Sequence, residues 1–209
     1  MRLLLVGAGG HARVVCDAMK AAGFDLAAYA DPQPSAWLDA PHCASDDAAA
    51  ALPLEIGVAL GLGGVSPARL RARLALLVHF LDAGRAAPSI VHPRASVAGD
   101  AVVGRGVQVM CGAIVQAGAV LGDAVIVNTG AIVEHGSIVA EGSHVAPGAI
   151  VLGNVRIGGC AMIGAGAVVL PGTTVSDGTL VPAGAVHGPA RSGGGLRSAR
   201  RRTRNTSRV

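Results

Sequence analysis

A repeat of six residues runs through the second half of the chain. An aliphatic residue stands at every sixth position from Val91 to Val181, sixteen times in succession and without an insertion. Neither the 3.6-residue period of a helix nor the two-residue period of a strand produces this spacing. A parallel β-helix with three short faces does, because each aliphatic side chain then points inward and stacks on its equivalent one turn later. The repeat therefore predicts a solenoid of roughly five turns.

The amino-acid composition suits a narrow interior. Of the 209 residues, 51% are hydrophobic and only 14% are charged, which excludes a disordered chain. Aromatic residues make up 2%, so the core must be built from Val, Ile, Leu and Ala. The 31 glycines do not recur at every third position, which excludes collagen.

The formal net charge of +4 comes from the C-terminal end. Seven arginines and no acidic residues lie within residues 187–209, whereas residues 1–186 carry ten basic and thirteen acidic side chains. A basic segment of this kind binds nucleic acid or an acidic surface in some proteins and is a disordered terminus in others. Because this segment lacks interleaved aromatic residues, we expect a disordered tail over residues 187–209 and no nucleic-acid partner.

Targeting and redox signals favour the cytoplasm. The opening apolar run is too short for a signal peptide and breaks into glycines. No apolar stretch of about eighteen residues predicts a membrane span. Cys16, Cys43, Cys111 and Cys160 lie far apart without a CxxC pair. That spacing argues against zinc and favours free thiols in a reducing compartment, so we expect a cytoplasmic protein that binds no metal and no membrane.

The first 87 residues have a different pattern. Short apolar runs at residues 3–6, 26–30 and 56–60 predict strands, and residues 12–22 and 67–83 predict helices. This alternating order predicts a small parallel, Rossmann-like sheet. The sequence thus predicts an α/β domain over residues 1–87, followed by an all-β parallel β-helix domain over residues 88–186.

A glycine-rich turn follows the first predicted strand. Its sequence, Gly7-Ala-Gly-Gly-His11-Ala, matches the variant pattern G-x-G-x-x-A. Backbone N–H groups at the start of a helix suit a phosphate, and Asp31 ends the second strand, where it can accept hydrogen bonds from a ribose or a base. The pattern favours a nucleotide of some kind, although a tight strand–helix turn without a ligand has the same pattern. If a nucleotide binds, the small domain favours a nucleotide sugar over a dinucleotide.

Two of the seven histidines, His135 and His144, fall within the predicted coil. Both positions are compatible with an exposed surface histidine. They are also compatible with an imidazole that a neighbouring subunit covers and that acts as a general base, since imidazole titrates near neutral pH. The spacing alone leaves both interpretations open.

Two groups of residues together resemble one protein family. The N-terminal turn GAGGHA is combined with Asn128-Thr-Gly-Ala-Ile-Val-Glu-His135, Gly142-Ser-His144-Val-Ala-Pro-Gly148, Gly153-Asn154-Val155 and Ile163-Gly164-Ala165. Over residues 1–186 this combination resembles the bacterial sugar O/N-acyltransferases of the sialic acid O-acetyltransferase and bacillosamine N-acetyltransferase group. The resemblance implies a left-handed β-helix, a homotrimer, acetyl-CoA as co-substrate and a nucleotide-linked sugar as acceptor.

The resemblance also implies roles for individual residues. His135 matches the catalytic base, and the coenzyme is expected beside His144, Gly153, Gly164 and Ala165. The expected contacts of the nucleotide sugar are Gly9, Gly10, His11, Asp31, Gly61 and Asn128. We expect His135 to remove a proton from a sugar amine or hydroxyl as this group attacks the thioester carbonyl. None of the four cysteines lies next to His135 in a triad-like spacing, so we expect direct transfer without an acyl-enzyme.

Three segments depart from the family pattern. Gly136 follows the expected base where the family commonly has an acidic residue, and Gly61-Leu-Gly-Gly64 replaces a G-D-N turn. The usual C-terminal segment G-V-P-A-K/R is replaced by His187-Gly-Pro-Ala-Arg191. Gly136 supports an alternative in which the chain binds a nucleotide sugar or acts as a scaffold without catalysis.

A metalloenzyme is a third alternative. The γ-carbonic anhydrases share the coil but need three histidines that converge between subunits. The coil offers only His135 and His144, with His92 at its edge. We therefore expect an acetyltransferase. The flat Ala- and Val-rich faces of the coil predict association with further copies, and the resemblance, in which active sites lie between coils, implies a trimer.

Overall fold

The structure is a computed structural model that describes residues 1–188 of the chain. An α/β region comes first, with strands β1 (Arg2–Val6), β2 (Asp25–Ala30), β3 (His42–Cys43) and β4 (Gly57–Leu60), and helices α1 (Gly10–Ala21), α2 (Asp46–Ala50) and α3 (Pro67–Asp82). The strands form one parallel sheet in the order β3-β2-β1-β4. The predicted α/β region is confirmed, whereas its Rossmann-like class and its boundary at residue 87 stay predictions.

Local sequence accounts for these elements. Leu3, Leu4 and Leu5 are fully buried in β1 between the helices on the two faces of the sheet, as expected for a central parallel strand. Helix α3 begins after Ser66, whose hydroxyl accepts a hydrogen bond from the Arg69 N–H. The proline at position 67 occupies the first turn, where its missing N–H costs nothing.

Seventeen two-residue strands follow and build the coil. In chain order, β5 to β21 are Ile90–Val91, Ser96–Val97, Val102–Val103, Gln108–Val109, Ile114–Val115, Val120–Leu121, Ile126–Val127, Ile132–Val133, Ile138–Val139, His144–Val145, Ile150–Val151, Arg156–Ile157, Met162–Ile163, Val168–Val169, Thr174–Val175, Leu180–Val181 and Val186–His187. Of the predicted basic tail, residues 189–209 lie outside the described residues.

The coil has three faces, each a parallel sheet. The first face contains β5, β8, β11, β14, β17 and β20, the second contains β6, β9, β12, β15, β18 and β21, and the third contains β7, β10, β13, β16 and β19. Val115 pairs with Val133 and Val133 with Val151, so one turn takes eighteen residues. These valines are at most 1% exposed and stack along the axis. The predicted parallel β-helix of hexapeptide repeats is confirmed.

The α/β region packs on the first face of the coil. Ile90 contacts the α1 side of the core, and Leu70 of α3 packs against Ala146, Cys160 and Met162. On the second face, the outward side chains of Ile114, Ile132, Ile150 and Val168 are half-buried, and Val186 is 69% exposed. The described residues thus cover the first face and leave an apolar row open on the second.

Two further expectations concern cysteines and membranes. The four cysteines are free, as predicted: Cys16, Cys43 and Cys160 are buried and Cys111 is half-buried. Within residues 1–188, none of the helices has the length and apolar character needed to cross a bilayer.

Candidate functional site

Two cavities lie on either side of the loop that joins β4 to α3. The sheet-edge cavity, of about 380 Å³, lies where β1 and β2 end and is lined by Gly7, Asp31, Ser45, Leu62 and Leu76 among others. The interface cavity, of about 540 Å³, lies between the α/β region and the coil. Its lining includes Gly10, His11, Gly63, Gly64, Asn128, His144 and Ala165.

The glycine turn connects the two cavities. Gly7 lies in the left-handed region at φ +94°, and the Asp31 carboxylate accepts a hydrogen bond from the Ala8 N–H at 2.9 Å. Helix α1 then begins after Gly9 without a side-chain cap. A Cβ atom at Gly9 or Gly10 would meet nothing within 4 Å. Gly9 and Gly10 are exposed, so the uncapped start of α1 is accessible to a ligand, and such a helix start favours an anion.

His11 is fixed by a side chain from the coil. Gln108, 1% exposed, donates its amide N–H to the Leu60 carbonyl at 2.7 Å, so its amide oxygen accepts from His11 Nε2 at 2.9 Å. His11 Nε2 consequently carries the proton and Nδ1 does not. Burial lowers the pKa of His11, with the charge of Arg73 acting in the same direction. The imidazole is neutral at pH 7.

His144 is likewise held at both ring nitrogens. Its Nδ1–H donates to the Gly64 carbonyl at 2.7 Å, and its Nε2 accepts from the Asn128 amide at 3.0 Å. Only 5% of the residue is exposed, so the interpretation as a surface histidine is wrong for His144. The pKa of His144 is lowered to about 4, mainly by burial and to a smaller extent by the nearby charge of Arg73.

His135 has a different environment. It is exposed in the turn after β12, and its ring lies against Gly153, where a Cβ atom would come within 2.6 Å of Cε1 and Nε2. The Glu134 carboxylate turns back to the His135 backbone N–H at 3.4 Å. No side chain within residues 1–188 forms a hydrogen bond with the ring.

The position after His135 is a tight corner. Gly136 has φ +64°, and a Cβ atom there would lie 2.5 Å from the Asn154 side-chain oxygen. The acidic residue that the resemblance leads us to expect at position 136 is absent, and the Asn154 side chain fills the space that it would need.

The expected site residues form separate groups within one chain. Gly10, His11, Asn128, His144 and Ala165 come together at the interface cavity, whereas Asp31 lies at the sheet-edge cavity. His135 follows β12 on the second face, and His144 begins β14 on the first face, so β13 on the third face separates them along the chain. Gly153 adjoins His135.

Two expected glycines have structural reasons to be glycine. A Cβ atom at Gly164 would lie 2.5 Å from the Ala183 backbone N, so Gly164 permits two turns of the coil to approach. Gly61 packs equally closely, because its Cβ would lie 2.5 Å from the Gly7 carbonyl oxygen. Both positions are explained by packing alone, and their expected ligand contacts stay predictions.

Two residues at the site were not expected from the sequence. Gln108 is a polar residue at an outward strand position that Val or Ile usually occupies, and this was a detectable signal. Arg73 lies in the buried stripe of α3 between Leu70 and Leu77, where an apolar residue is normal. Within residues 1–188, no group of three or more His, Cys, Asp or Glu is placed to hold a metal ion.

Known proteins resemble the chain in both of its parts. The family described as the PglD N-terminal domain matches residues 2–74. The acetyltransferase domain of PglB from Neisseria gonorrhoeae is 34% identical, covers 88% of this chain and 90% of its own, and has a TM-score of 0.82. The same domain has been solved in complex with acetyl coenzyme A.

The sugar acetyltransferases of Caulobacter crescentus match to a similar degree. PerB, solved with CoA and GDP-perosamine, is 34% identical, covers 89% of this chain and 88% of its own, and has a TM-score of 0.82. A perosamine N-acetyltransferase variant in which a histidine is replaced by asparagine is 33% identical over the same shares, with a TM-score of 0.83. No curated protein sequence matches the chain.

Proposed function

This chain belongs to the bacterial sugar O/N-acyltransferase family that includes the PglB acetyltransferase domain and PerB, and from that premise we propose that it acetylates an amino group on a nucleotide-linked sugar with acetyl-CoA. One observation carries the proposal: five residues that the family pattern assigns to substrate or coenzyme line a single cavity between the glycine turn and the coil. The relatives solved with CoA, acetyl-CoA or GDP-perosamine support the same pair of substrates.

The two cavities suggest how the nucleotide sugar lies. The nucleoside occupies the sheet-edge cavity, where Asp31 accepts hydrogen bonds from it, and the diphosphate lies at the uncapped start of α1 beside Gly9 and Gly10. The sugar then enters the interface cavity beside His11 and Asn128. In this arrangement residues 1–87 hold the acceptor, and residues 88–186 hold acetyl-CoA along His144, Gly153, Gly164 and Ala165.

The chemistry is a direct transfer. His135 accepts a proton from the sugar amine as its nitrogen attacks the thioester carbonyl, so that a C–N bond forms and the C–S bond breaks. The proton on His135 then passes to the departing sulfur of CoA. No covalent intermediate with the enzyme is required.

The second face of the coil carries the proposed subunit contact. Its row of half-exposed Ile114, Ile132 and Ile150 is an apolar strip that a second copy of the chain would bury. His135 follows this face directly, so a neighbouring subunit lies within reach of it. In the proposed homotrimer, His135 of one subunit faces the interface cavity of the next, which unites the base with the coenzyme residues.

The test is turnover by the full chain. Acetyl-CoA is combined with a panel of nucleotide sugars that includes amino sugars such as GDP-perosamine and their hydroxylated counterparts. Free CoA is measured, and mass spectrometry of the sugar detects one added acetyl group. We expect release of CoA with at least one sugar and none from the variant His135→Ala. Acetylation of the hydroxylated rather than the aminated sugars would change the acceptor assignment.

Gly136 favours a second candidate function. Without an acidic neighbour, His135 lacks its usual orienting partner, which is compatible with a homologue that binds a nucleotide sugar but does not turn over. Measurable nucleotide binding with no CoA release for any sugar would support this candidate and contradict the enzyme.

A further inference from the structure

Arg73 is a buried cation that the proposed chemistry does not use. It lies on α3 and is 1% exposed. Its Nε–H donates to the Leu62 carbonyl at 2.9 Å, and its Nη1–H donates to the Ala124 carbonyl. Its Nη2 has no hydrogen-bond partner within the part of the chain described, and none of its partners is a carboxylate. Burial lowers the pKa of Arg73 to about 10, so it remains charged at pH 7.

A charge in this position is expensive. Taking a guanidinium out of water costs several kcal/mol, and carbonyl oxygens offset only part of that cost. A methionine or leucine at position 73 would extend the apolar stripe of α3 without any such cost. An apolar side chain at position 73 could fill the space, but it could not form the hydrogen bonds to the Leu62 and Ala124 carbonyls.

The two carbonyls belong to different parts of the fold. Leu62 lies in the loop between β4 and α3, which separates the two cavities. Ala124 is a corner of the coil and has a left-handed conformation at φ +58°. One guanidinium thus ties the loop to the coil.

The same loop also contacts His144, the proposed coenzyme histidine. Two residues after Leu62, the Gly64 carbonyl accepts the Nδ1–H of His144 at 2.7 Å. Because a carbonyl oxygen can only accept, its position requires that Nδ1 carries the proton, which leaves the Nε2 lone pair to accept from the Asn128 amide at 3.0 Å. If the loop moved by about 1 Å, this hydrogen bond would be lost.

We propose that Arg73 is a positioning residue that fixes the tautomer of His144, by clamping Leu62 to Ala124 and so holding the Gly64 carbonyl under the imidazole. The unprotonated Nε2 of His144 then points towards Asn128 and the interface cavity, where it accepts the Asn128 amide and keeps both side chains in place for the coenzyme. The inference rests on the proposed coenzyme role of His144.

The first measurement needs no substrate. The full chain is labelled with ¹⁵N-histidine, and His144 is assigned by comparison with His144→Gln in long-range ¹H–¹⁵N spectra at pH 7. We expect a protonated Nδ1 and an unprotonated Nε2 in the wild type, and a mixture of both tautomers in Arg73→Met. Arg71→Met, which removes an exposed arginine from the same helix, is the matched control and should give the wild-type spectrum.

The second measurement distinguishes an effect on coenzyme binding from an effect on the chemical step. In steady-state kinetics with acetyl-CoA, Arg73→Met should raise KM about three- to tenfold, the range of one lost hydrogen bond, and change kcat by less than about threefold. Arg73→Lys keeps the charge but cannot reach both carbonyls in a fork, so it should lie between Arg73→Met and the wild type. If Arg73 had only a structural role, Arg73→Met would lower Tm, but it would change neither the tautomer of His144 nor KM without a matching change in kcat.

The outcomes separate this inference from the proposed function. A folded Arg73→Met with the wild-type tautomer overturns the positioning role, whether or not the enzyme turns over. If Arg73→Met does not fold, Arg73→Lys decides by the same two measurements: a mixed tautomer with a raised KM supports the role, and wild-type values overturn it. Absence of turnover in the wild type refutes the proposed function and leaves the tautomer test valid.

Discussion

Acidification should destabilise the folded chain through His144. Its pKa is lowered to about 4, first by burial, whereas an unfolded histidine titrates near 6.5. Above pH 6.5 the His144 imidazole is neutral in both the folded and the unfolded state, so its titration does not change the free energy of unfolding. As the pH falls from 6.5 towards 4, the imidazole becomes protonated in the unfolded state but stays neutral in the folded state. The free energy of unfolding therefore decreases over this pH range.

The size of the effect follows from the two pKa values. The full difference between 6.5 and about 4 corresponds to about 3 kcal/mol. Between pH 7 and pH 5, the part that is realised is about 2 kcal/mol for His144 alone. The pKa of His11 is lowered too, so the wild type should lose more than this in total.

The assay compares urea unfolding of the wild type and His144→Gln at pH 7 and pH 5, at one protein concentration because assembly contributes to stability. The wild type should lose about 2 kcal/mol more than His144→Gln over this interval, whereas His79→Gln, which replaces an exposed histidine on α3, should follow the wild type. The reasoning is refuted if His144→Gln loses as much stability as the wild type, because the titrating group would then lie elsewhere.

Four further results are expected. His135→Ala should lower kcat by about 10²–10⁴-fold with little change in KM for acetyl-CoA, and an unchanged kcat would place the base elsewhere. His144→Ala should chiefly raise KM for acetyl-CoA, so a normal KM in steady-state assays would count against its coenzyme role. Gly153→Ala should displace the His135 ring, which its Cβ would approach to 2.6 Å, and so lower kcat without lowering Tm. The chain should be a trimer by light scattering and Ile132→Asp should dissociate it; a wild-type monomer at micromolar concentration would contradict the proposed assembly.

The coil could be predicted from the sequence because its interactions repeat. Val115, Val133 and Val151 each pack against an equivalent valine one turn away. The period of six therefore predicts which residues pair, which residues form the core and how many residues make one turn. The α/β region was predicted only in outline. The strand β3, of two residues, was missed, because so short an element is fixed by its pairing with β2 rather than by its own pattern.

The family pattern named several residues that line the interface cavity, but it could not give the hydrogen bonds between them. The family pattern named His11 and His144, yet the partners that set their protons come from far along the chain: Gln108 for His11, and the Gly64 carbonyl for His144. A backbone carbonyl has no signature in a sequence, since every residue has one. A pattern can therefore identify an imidazole but cannot give its tautomer.

The corner at Gly136 is a property of two stacked turns rather than of one residue. Left-handed corners accept a side chain elsewhere in this coil, at Ala124, Asn154 and Cys160, so a positive φ does not by itself require glycine at position 136. What stands in the way is the Asn154 side-chain oxygen, eighteen residues later, which takes the space that a Cβ at position 136 would need. A carboxylate next to His135 would have to displace that amide. The absence of an acidic residue at position 136 is thus coupled to the amide at position 154. A variant that introduces a carboxylate at position 136 therefore also needs a smaller side chain at position 154.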